Sequence, residues 1–228
     1  MKHLFTSHLS TRLARPILHV IGTASLLWAT GVAMAAQPLL TPQEAQALAG
    51  QPDVRIIDIR APKDYNQGHV PTAVNAPYGQ WRGPASNPGQ LPAIKTLTQL
   101  VQRLGLDAQS HAVVISSGAN DTDFGAAARV YWTLKVLGLE NLSIVNGGVK
   151  AWSAAKLPLT QQAPTIAPST FEPTINSQWL VDQAQLLADT QSSETVLVDA
   201  RPEAFFNGQT RHVAAKTPGT LPGAVNVA

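Results

Sequence analysis

The residues that could do chemistry in this chain are few, and the most reactive type is missing. The 228 residues contain no cysteine, which excludes a thiol nucleophile, a disulfide and a cysteine-ligated metal within them. After residue 35 the histidines are His69, His111 and His212, and they lie far apart. A lone histidine is more often a hydrogen-bonding group than a ligand. The sequence therefore predicts no metal site.

Two hydroxyl groups stand where a strand is expected to end. Ser116 and Ser117 close the apolar run HAVVISS and precede Gly118. A serine hydroxyl is a weak nucleophile that needs a histidine as its base, and His111 begins the same run, at its opposite end. We therefore interpret Ser116, Ser117 and Gly118 as a loop without catalytic function and disfavour the alternative, a serine hydrolase.

Charged and polar residues recur in two copies. The pair Asp58-x-Arg60 ends the run VRIIDIR, and Asp199-x-Arg201 ends the run TVLVDAR. Ala-Val-Asn follows in both copies, ending at Asn75 and at a second asparagine 151 residues later, whereas the aspartates are 141 residues apart. The second copy thus contains an insertion of ten residues. This pattern indicates an internal duplication of an α/β unit.

The elements that must position these residues alternate between strands and helices. Thr41 and Glu44 form a capping-box pattern at the start of a helix. Helical apolar spacing over 94–106 and 124–138 separates β-branched runs that are expected to be strands; the predicted strands lie within 54–60, 72–77, 111–117 and 142–148. The alternation predicts an α/β fold with a parallel sheet covered by helices on both faces.

The same pattern divides the chain into segments. Residues 37–157 are predicted to form a first domain, and 158–175, with four prolines, an inter-domain linker. Residues 176–228 repeat the start of the first domain and have no counterpart of its later part. We therefore expect one complete domain and the first half of a second, in a fragment of a longer protein.

The first 35 residues read as a secretory signal peptide. Three basic residues precede an uncharged apolar run, and Ala33-Met34-Ala35 provides a cleavage site after Ala35. The expected product is exported, to the periplasm, without stable membrane association; the alternative is an uncleaved anchor. Cleavage would leave 13 basic and 14 acidic residues. Without a basic cluster, nucleic-acid binding is excluded as a function class.

Two stretches resemble the rhodanese family, sulfurtransferases built from one or two rhodanese domains. IDIRAPKDYNQGHVPTAVNAP, residues 57–77, is similar to that family's strand, D-x-R and G-H-I-P-G-A-x-N-x-P signature. LSIVNGGVKAW, residues 142–152, is similar to its Gly-Gly and Trp segment. The resemblance implies a rhodanese-like fold in tandem. It also implies that the D-x-R residues are structural, tying each strand end to neighbouring loops: Asp58, Arg60, Asp199 and Arg201.

In two-domain members of that family the first domain is usually silent and the second carries a nucleophilic cysteine. The resemblance places the silent loop at Ser116–Gly118 and the cysteine beyond Ala228. Such a thiolate takes sulfane sulfur from a small anionic donor, thiosulfate or mercaptopyruvate, and passes it to cyanide or a thiol. No metal or organic cofactor is implied. We expect the full-length protein to be a sulfurtransferase and this chain to be inactive; the oligomeric state is left open.

Two other functions remain open at this point. One is a rhodanese-like binding or regulatory module without catalysis. The other, less favoured, is a rhodanese-like phosphatase, which would need the same cysteine in a longer loop that ends in arginine.

The chain also departs from the family pattern. Two-domain sulfurtransferases bind the anionic substrate through an arginine shortly after the second D-x-R, and Phe205 stands there. Arg211 and Lys216, in the insertion, are tentative replacements. Thr72 stands where the second copy has Gly223, so we expect the two turns to differ in backbone angle.

Overall fold

A computed structural model describes residues 36–192 and 194–227 of the chain. The predicted signal peptide lies outside the described residues. Within them, the strands are β1 Leu39–Leu40, β2 Val54–Asp58, β3 Val74–Asn75, β4 His111–Ile115, β5 Leu142–Val145, β6 Val198–Asp199 and β7 Val225–Asn226. The first five are parallel and form one sheet in the order β1-β5-β4-β2-β3, and β6 and β7 pair separately.

Helices cover both faces of the five-stranded sheet, as the alternation predicts. No helix in the described part of the chain is long and apolar enough to cross a membrane. The α-helices are α1 Pro42–Leu48, α2 Pro62–Gln67, α3 Ile94–Arg103, α4 Asp121–Val136, α5 Gly148–Ala154, α6 Gln183–Asp189 and α7 Glu203–Phe206; short 3₁₀ helices span Tyr78–Trp81 and Ser177–Trp179.

The residues of β4 alternate between two hydrophobic cores. Ala112 and Val114 face a core with α3 and α4, whereas Val113 and Ile115 face one with α1, α2 and α5. Successive residues of a strand point to opposite faces, so a sheet covered on both sides needs apolar residues at every position. This explains why the run is continuously apolar. A tryptophan anchors each core, Trp81 in the first and Trp152 in the second, and both are fully buried.

The start of the first helix follows a local sequence rule. Thr41 caps α1 by accepting a bond from the amide of Glu44 at 3.3 Å, and the Glu44 carboxylate accepts one from the Thr41 amide at 2.8 Å. The bond from the Thr41 amide, and then one from the Thr41 hydroxyl at 2.8 Å, lower the pKa of Glu44. The predicted capping box is confirmed. The edge strand β1, by contrast, was not predicted, because two residues are too few to show a periodicity.

The predicted linker contains no helix or strand, yet it packs along the first domain. The Ser169 amide donates to the Gln102 carbonyl at 2.9 Å, and the Gln102 side chain donates to the Phe171 carbonyl at 3.0 Å. The Asn176 amide donates to Val136 at 2.7 Å. The prolines keep the linker extended. Backbone groups of its other residues bind the surface of the first domain.

The second copy of the pattern is much less buried than the first. Its strand pair β6–β7 has the register of β2–β3, with Asp199 opposite Asn226 as Asp58 is opposite Asn75. The side chains differ sharply in environment, because Val198 and Val225 are exposed whereas β2 is largely buried. Several apolar side chains are exposed there: Val196, Val198, Leu187, Val225 and Val227.

The expectation that the two turns differ in backbone angle is wrong. Thr72 has φ +70° and Gly223 has φ +78°, so both are left-handed. A β-branched residue pays a steric cost in this region. The tertiary contacts on either side of Thr72 nevertheless hold it there, since Ala73 is buried and its amide bonds the Val70 carbonyl at 3.0 Å.

Candidate functional site

The carboxyl ends of parallel strands form the edge where α/β proteins bind ligands, and the D-x-R pair closes one such strand. The Arg60 guanidinium donates to both oxygens of Asp58, at 3.0 Å from Nε and 2.6 Å from Nη2. Its Nη2 also donates to the Gly68 carbonyl at 2.8 Å. Asn75 donates to the carbonyls of Asp58 and Arg60 at 2.9 and 3.0 Å. The group ties β2 to the turn and to β3.

The second copy forms the same bonds. The Arg201 Nε donates to Asp199 at 2.9 Å, its Nη2 donates to the Gly219 carbonyl at 2.9 Å, and Asn226 donates to the carbonyls of Asp199 and Arg201 at 2.8 Å. Thr220 adds a hydroxyl bond to Asp199 at 2.7 Å. The bond from Arg201, and then that from Thr220, hold the pKa of Asp199 well below its usual range.

Burial separates the two D-x-R groups. The Arg60 side chain is 10% exposed and the Asp58 side chain is fully buried, whereas Arg201 is 47% and Asp199 is 8% exposed. A cavity of about 520 Å³ opens beside the second group, lined by Asp199, Arg201 and the Thr217–Leu221 segment. In both copies the arginine is bound to its aspartate and to a backbone carbonyl. The charge of each arginine is therefore balanced by that of its aspartate.

The loop after β4 is held from behind by the start of α5. The amides of Val149 and Lys150 donate to the carbonyls of Ser116 and Ser117 at 2.9 and 3.0 Å. Gly118 has φ +76°, and a Cβ there would lie 1.8 Å from the Gly147 carbonyl oxygen. Only glycine fits this close approach of two backbones. The fixed loop lines a cavity of about 270 Å³ together with the Gly147–Gly148 turn.

Asp123, in the first turn of α4, occupies the donors of this loop. Its carboxylate accepts a bond from the Gly118 amide at 2.6 Å, and its own amide donates to the capping side chain of Asn120 at 3.1 Å. Burial raises the pKa of Asp123, but bonds from Ser116, Gly118, Ser117 and Ala119 outweigh it, and the pKa is lowered from 3.8. The Asp123 carboxylate thus occupies the place where the amides of this loop would bind an anion.

The sequence analysis did not identify this role of Asp123. The spacing from Asn120 to Asp123 indicates a helix start and therefore an exposed carboxylate near free amides. That signal could have pointed to the contact. It could not have shown that the carboxylate turns back onto Gly118 rather than out to solvent.

The histidines of the described chain are all engaged elsewhere. His111 lies 2.8 Å from the Ser143 hydroxyl, at the amino end of β4, and burial lowers its pKa. His69 is fully buried with its ring between two carbonyls, and His212 is exposed and accepts a bond from the Ala214 amide at 3.2 Å. No serine–histidine pair forms with Ser116 or Ser117. In residues 36–192 and 194–227, no three His, Asp or Glu side chains come together as a metal would require.

The tentative substrate residues do not reach either D-x-R group. Arg211 is exposed and donates to the carbonyl of Ala215, within its own insertion. Lys216 is exposed, and neither residue lines the cavity beside Asp199. Phe205 is half-buried in α7. The structure therefore brings together Ser116, Ser117, Gly118 and Asp123, but not the cations of the insertion.

Comparisons with known proteins give matches to one family. The family model described as rhodanese-like domain matches residues 41–155. A putative thiosulfate sulfurtransferase of Synechococcus elongatus is 30% identical over 201 residues, covering 87% of this chain and 61% of that protein. The 3-mercaptopyruvate sulfurtransferase of Escherichia coli is 28% identical over 191 residues, covering 77% and 66%. The chain thus spans less than two thirds of both relatives.

Solved structures show the same fold. The crystal structure of SseA from Escherichia coli, a 3-mercaptopyruvate sulfotransferase, superposes with a TM-score of 0.67 at 26% identity, covering 83% of this chain and 74% of that one. The structure of YnjE gives a TM-score of 0.69 at 22% identity, over 82% and 47%. The parallel sheet, the D-x-R group and the loop after β4 together with these matches establish that the chain belongs to the rhodanese-like domain family.

Proposed function

We propose that the protein of which this chain is part is a rhodanese-type sulfurtransferase, and that residues 37–157 are its non-catalytic domain. The similarity to sulfurtransferases carries this proposal, because the alignment covers 87% of the chain and so continues past the first domain. The repeated D-x-R geometry at Asp199 supports a second domain of the same type, beginning near residue 176.

The proposed reaction requires a thiolate that these 228 residues do not contain. A cysteine outside this sequence would attack the sulfane sulfur of thiosulfate, breaking its S–S bond and releasing sulfite. With mercaptopyruvate it would attack the sulfur and break the C–S bond, and the carbon would take the electron pair and the thiol proton and leave as pyruvate. The resulting persulfide then gives its outer sulfur to cyanide or another thiol, and the thiolate is regenerated. The chain by itself is expected to lack this activity.

The contacts of the loop after β4 support a non-catalytic role for residues 37–157. Persulfide chemistry needs donors that face an incoming anion, and in this loop Asp123 accepts the Gly118 amide at 2.6 Å. A carboxylate there repels an anionic donor. Ser116 is buried and the carbonyls of both serines are bound to α5. No histidine of the described residues bonds either hydroxyl and could act as its base.

The decisive experiment compares the protein expressed from its complete reading frame with the 228-residue chain. Thiocyanate formation from cyanide is measured with thiosulfate and with mercaptopyruvate as donors. We expect activity from the complete protein and none from the chain. Mass spectrometry of the complete protein after incubation with donor should show one added sulfur atom on a cysteine, and Ser116→Ala should leave its rate unchanged as a matched control.

The same experiment distinguishes the binding module. A complete protein that folds but forms neither thiocyanate nor persulfide with either donor would contradict the sulfurtransferase proposal and favour the module. Activity of the 228-residue chain would contradict the non-catalytic assignment of residues 37–157.

We also propose that the protein is exported to the periplasm. The support is the sequence of residues 1–35, with its basic start, apolar run and Ala33-Met34-Ala35. Fractionation of expressing cells, with amino-terminal sequencing of the product, tests this. A mature terminus at residue 36 in the periplasmic fraction is expected, and full-length protein retained in the cytoplasm would overturn it.

A further inference from the structure

A further cavity lies at the carboxyl edge of the sheet, on the side of α2. Its volume is about 320 Å³, at the lower end of the range for sites that bind small molecules. The side chains in its wall come from distant parts of the chain; they are Arg60, Asp64, Gln67, Ser117, Val149 and Leu159. The wall therefore offers a cation, a carboxylate and an apolar surface to a small ligand.

Arg60 forms the cationic side of this cavity, and one of its nitrogen atoms is available. Its Nε and Nη2 donate to Asp58 and to the Gly68 carbonyl. Its Nη1 donates to none of the described residues and is not among their buried nitrogens without a partner. Because the side chain is only 10% exposed, Nη1 presents two N–H donors to the cavity from a fixed position.

Asp64 forms the anionic side of the cavity. It lies three residues before Gln67 in α2, so the two side chains share a face of that helix. Arg60 is held by Asp58, and Asp64 forms no ion pair with it or with any other cation of the described residues. The two charges thus face one space without contacting each other.

The remaining wall is apolar and fixed in position. The Val149 side chain, at the start of α5, is buried, and its amide donates to the Ser116 carbonyl at 2.9 Å. Leu159 is 42% exposed, and the next residue, Thr160, exchanges two backbone bonds with His69 at 2.9 and 2.8 Å. This wall can cover a short aliphatic chain without rearrangement.

We propose that this cavity binds a small zwitterion, an α-amino acid with an aliphatic side chain. The carboxylate of the ligand accepts the Nη1–H bonds of Arg60, its ammonium group pairs with Asp64, and its side chain packs on Val149 and Leu159. The site uses no thiol, and it does not depend on the proposed sulfur transfer.

Neither charged half of such a ligand suits the cavity by itself. The charge of Arg60 is balanced by Asp58, so Asp64 leaves the cavity with a net negative charge that disfavours a simple carboxylate. A simple amine pairs with Asp64 but leaves the Nη1–H donors of Arg60 without an acceptor from the ligand. The arrangement therefore selects a ligand that carries both groups.

Calorimetric titration of the 228-residue chain with three matched probes tests this selection. L-Leucine carries both charges, 4-methylpentanoate lacks only its ammonium group, and 3-methylbutylamine lacks only its carboxylate. We expect leucine to bind at least about tenfold more tightly than either of the others, the effect of one charge-assisted bond. Amide chemical shifts should change at Gly68 and Val149, which adjoin the cavity, and remain constant at Gly223.

A substitution at Asp64 separates the proposed pairing from general attraction of leucine to the protein. Asp64→Asn removes an exposed charge without a partner, so the chain should fold as before. Its affinity for leucine should fall about tenfold, and its affinity for 4-methylpentanoate should not fall. Asp121→Asn, an exposed carboxylate outside this cavity, is the matched control and should bind leucine like the unaltered chain.

Several outcomes would overturn the proposal. Equal affinities for leucine and 4-methylpentanoate would show that the ammonium group has no partner in the cavity. Unchanged leucine affinity in Asp64→Asn would exclude the pairing with this carboxylate. Absence of leucine binding at millimolar concentrations, or shift changes that leave out Gly68 and Val149, would exclude the site itself.

Discussion

The two D-x-R groups are made of the same bonds in different surroundings. Asp58–Arg60 and Asp199–Arg201 each join a strand end to a turn carbonyl and an asparagine. The first arginine is 10% exposed and the second is 47% exposed. Local sequence is thus sufficient to set the geometry, and the helices and strands packed around the group set its environment. The consequence is energetic, because a buried charge that loses its partner is far more costly than an exposed one.

The largest difference is expected from removing each carboxylate. Asp58→Ala leaves the nearly buried Arg60 without its partner and should lower the free energy of unfolding by about 3–5 kcal/mol. Asp199→Ala leaves a half-exposed arginine that water can solvate, and should cost less than about 1 kcal/mol. Urea unfolding of both variants measures this. Equal losses would show that the second group is as well covered as the first.

Glycine substitutions provide the next test. Gly118→Ala places a Cβ 1.8 Å from the Gly147 carbonyl in a left-handed position, so we expect a loss of about 3 kcal/mol. Gly223 is also left-handed, but a Cβ there would meet nothing within 4 Å, and Gly223→Ala should cost about 1 kcal/mol from backbone strain alone. Thermal unfolding of the pair checks this. A mild Gly118→Ala would contradict the close approach of the two loops.

Neutralising Asp123 tests its contact with the Gly118 amide in the loop after β4. The folded-state pKa of Asp123 is lowered, so its contribution is present above 3.8, the ordinary value, and is lost as the pH falls through the folded value. Asp123→Asn should therefore be less stable by about 1 kcal/mol at neutral pH and equal to the unaltered chain in strong acid. Asp121→Asn, exposed in the same helical turn, removes a charge without touching Gly118 and is the control, which should keep its stability at neutral pH.

The smallest effect is expected at Thr72, in the turn of the first copy. Thr72→Gly relieves a left-handed β-branched residue at φ +70°, while the flexible glycine stabilises the unfolded chain. The relief of strain should exceed the stabilisation of the unfolded chain, so that the free energy of unfolding of the variant rises by about 0.5–1 kcal/mol. A shift of the thermal midpoint measures it. Destabilisation would mean that Thr72 makes a contact worth more than its strain.

Most of the fold could be predicted from the sequence because the chain signals it locally. The helix caps at Thr41, the apolar spacing in α3 and the continuous apolar run of β4 each reflect contacts within a few residues or a single face. The sequence also predicted that the D-x-R groups lie at strand ends. The path of residues 157–176 was not, since an extended proline-rich segment carries no periodicity that shows what it packs against.

The candidate site was predictable in its residues but not in its contacts. The sequence indicated that Ser116 and Ser117 have no base, and the structure places His111 on Ser143. It did not indicate that Asp123 binds Gly118, or that His69 lies between the carbonyls of Tyr65 and Gln162. Those contacts join residues up to 93 positions apart, and no local pattern encodes such a meeting.

The sequence by itself determined the α/β alternation, the duplicated D-x-R pattern and the absence of a thiol, because each depends on residue type and on spacing within one element or one repeat. Only the tertiary structure decided how deeply each copy is buried, which carboxylate binds the loop after β4 and where residues 157–162 lie. The physical reason is that burial and long-range hydrogen bonds depend on which surfaces meet. Asp58 and Asp199 belong to the same D-x-R pattern in sequence, but their side chains differ in surroundings, and so do those of their arginines.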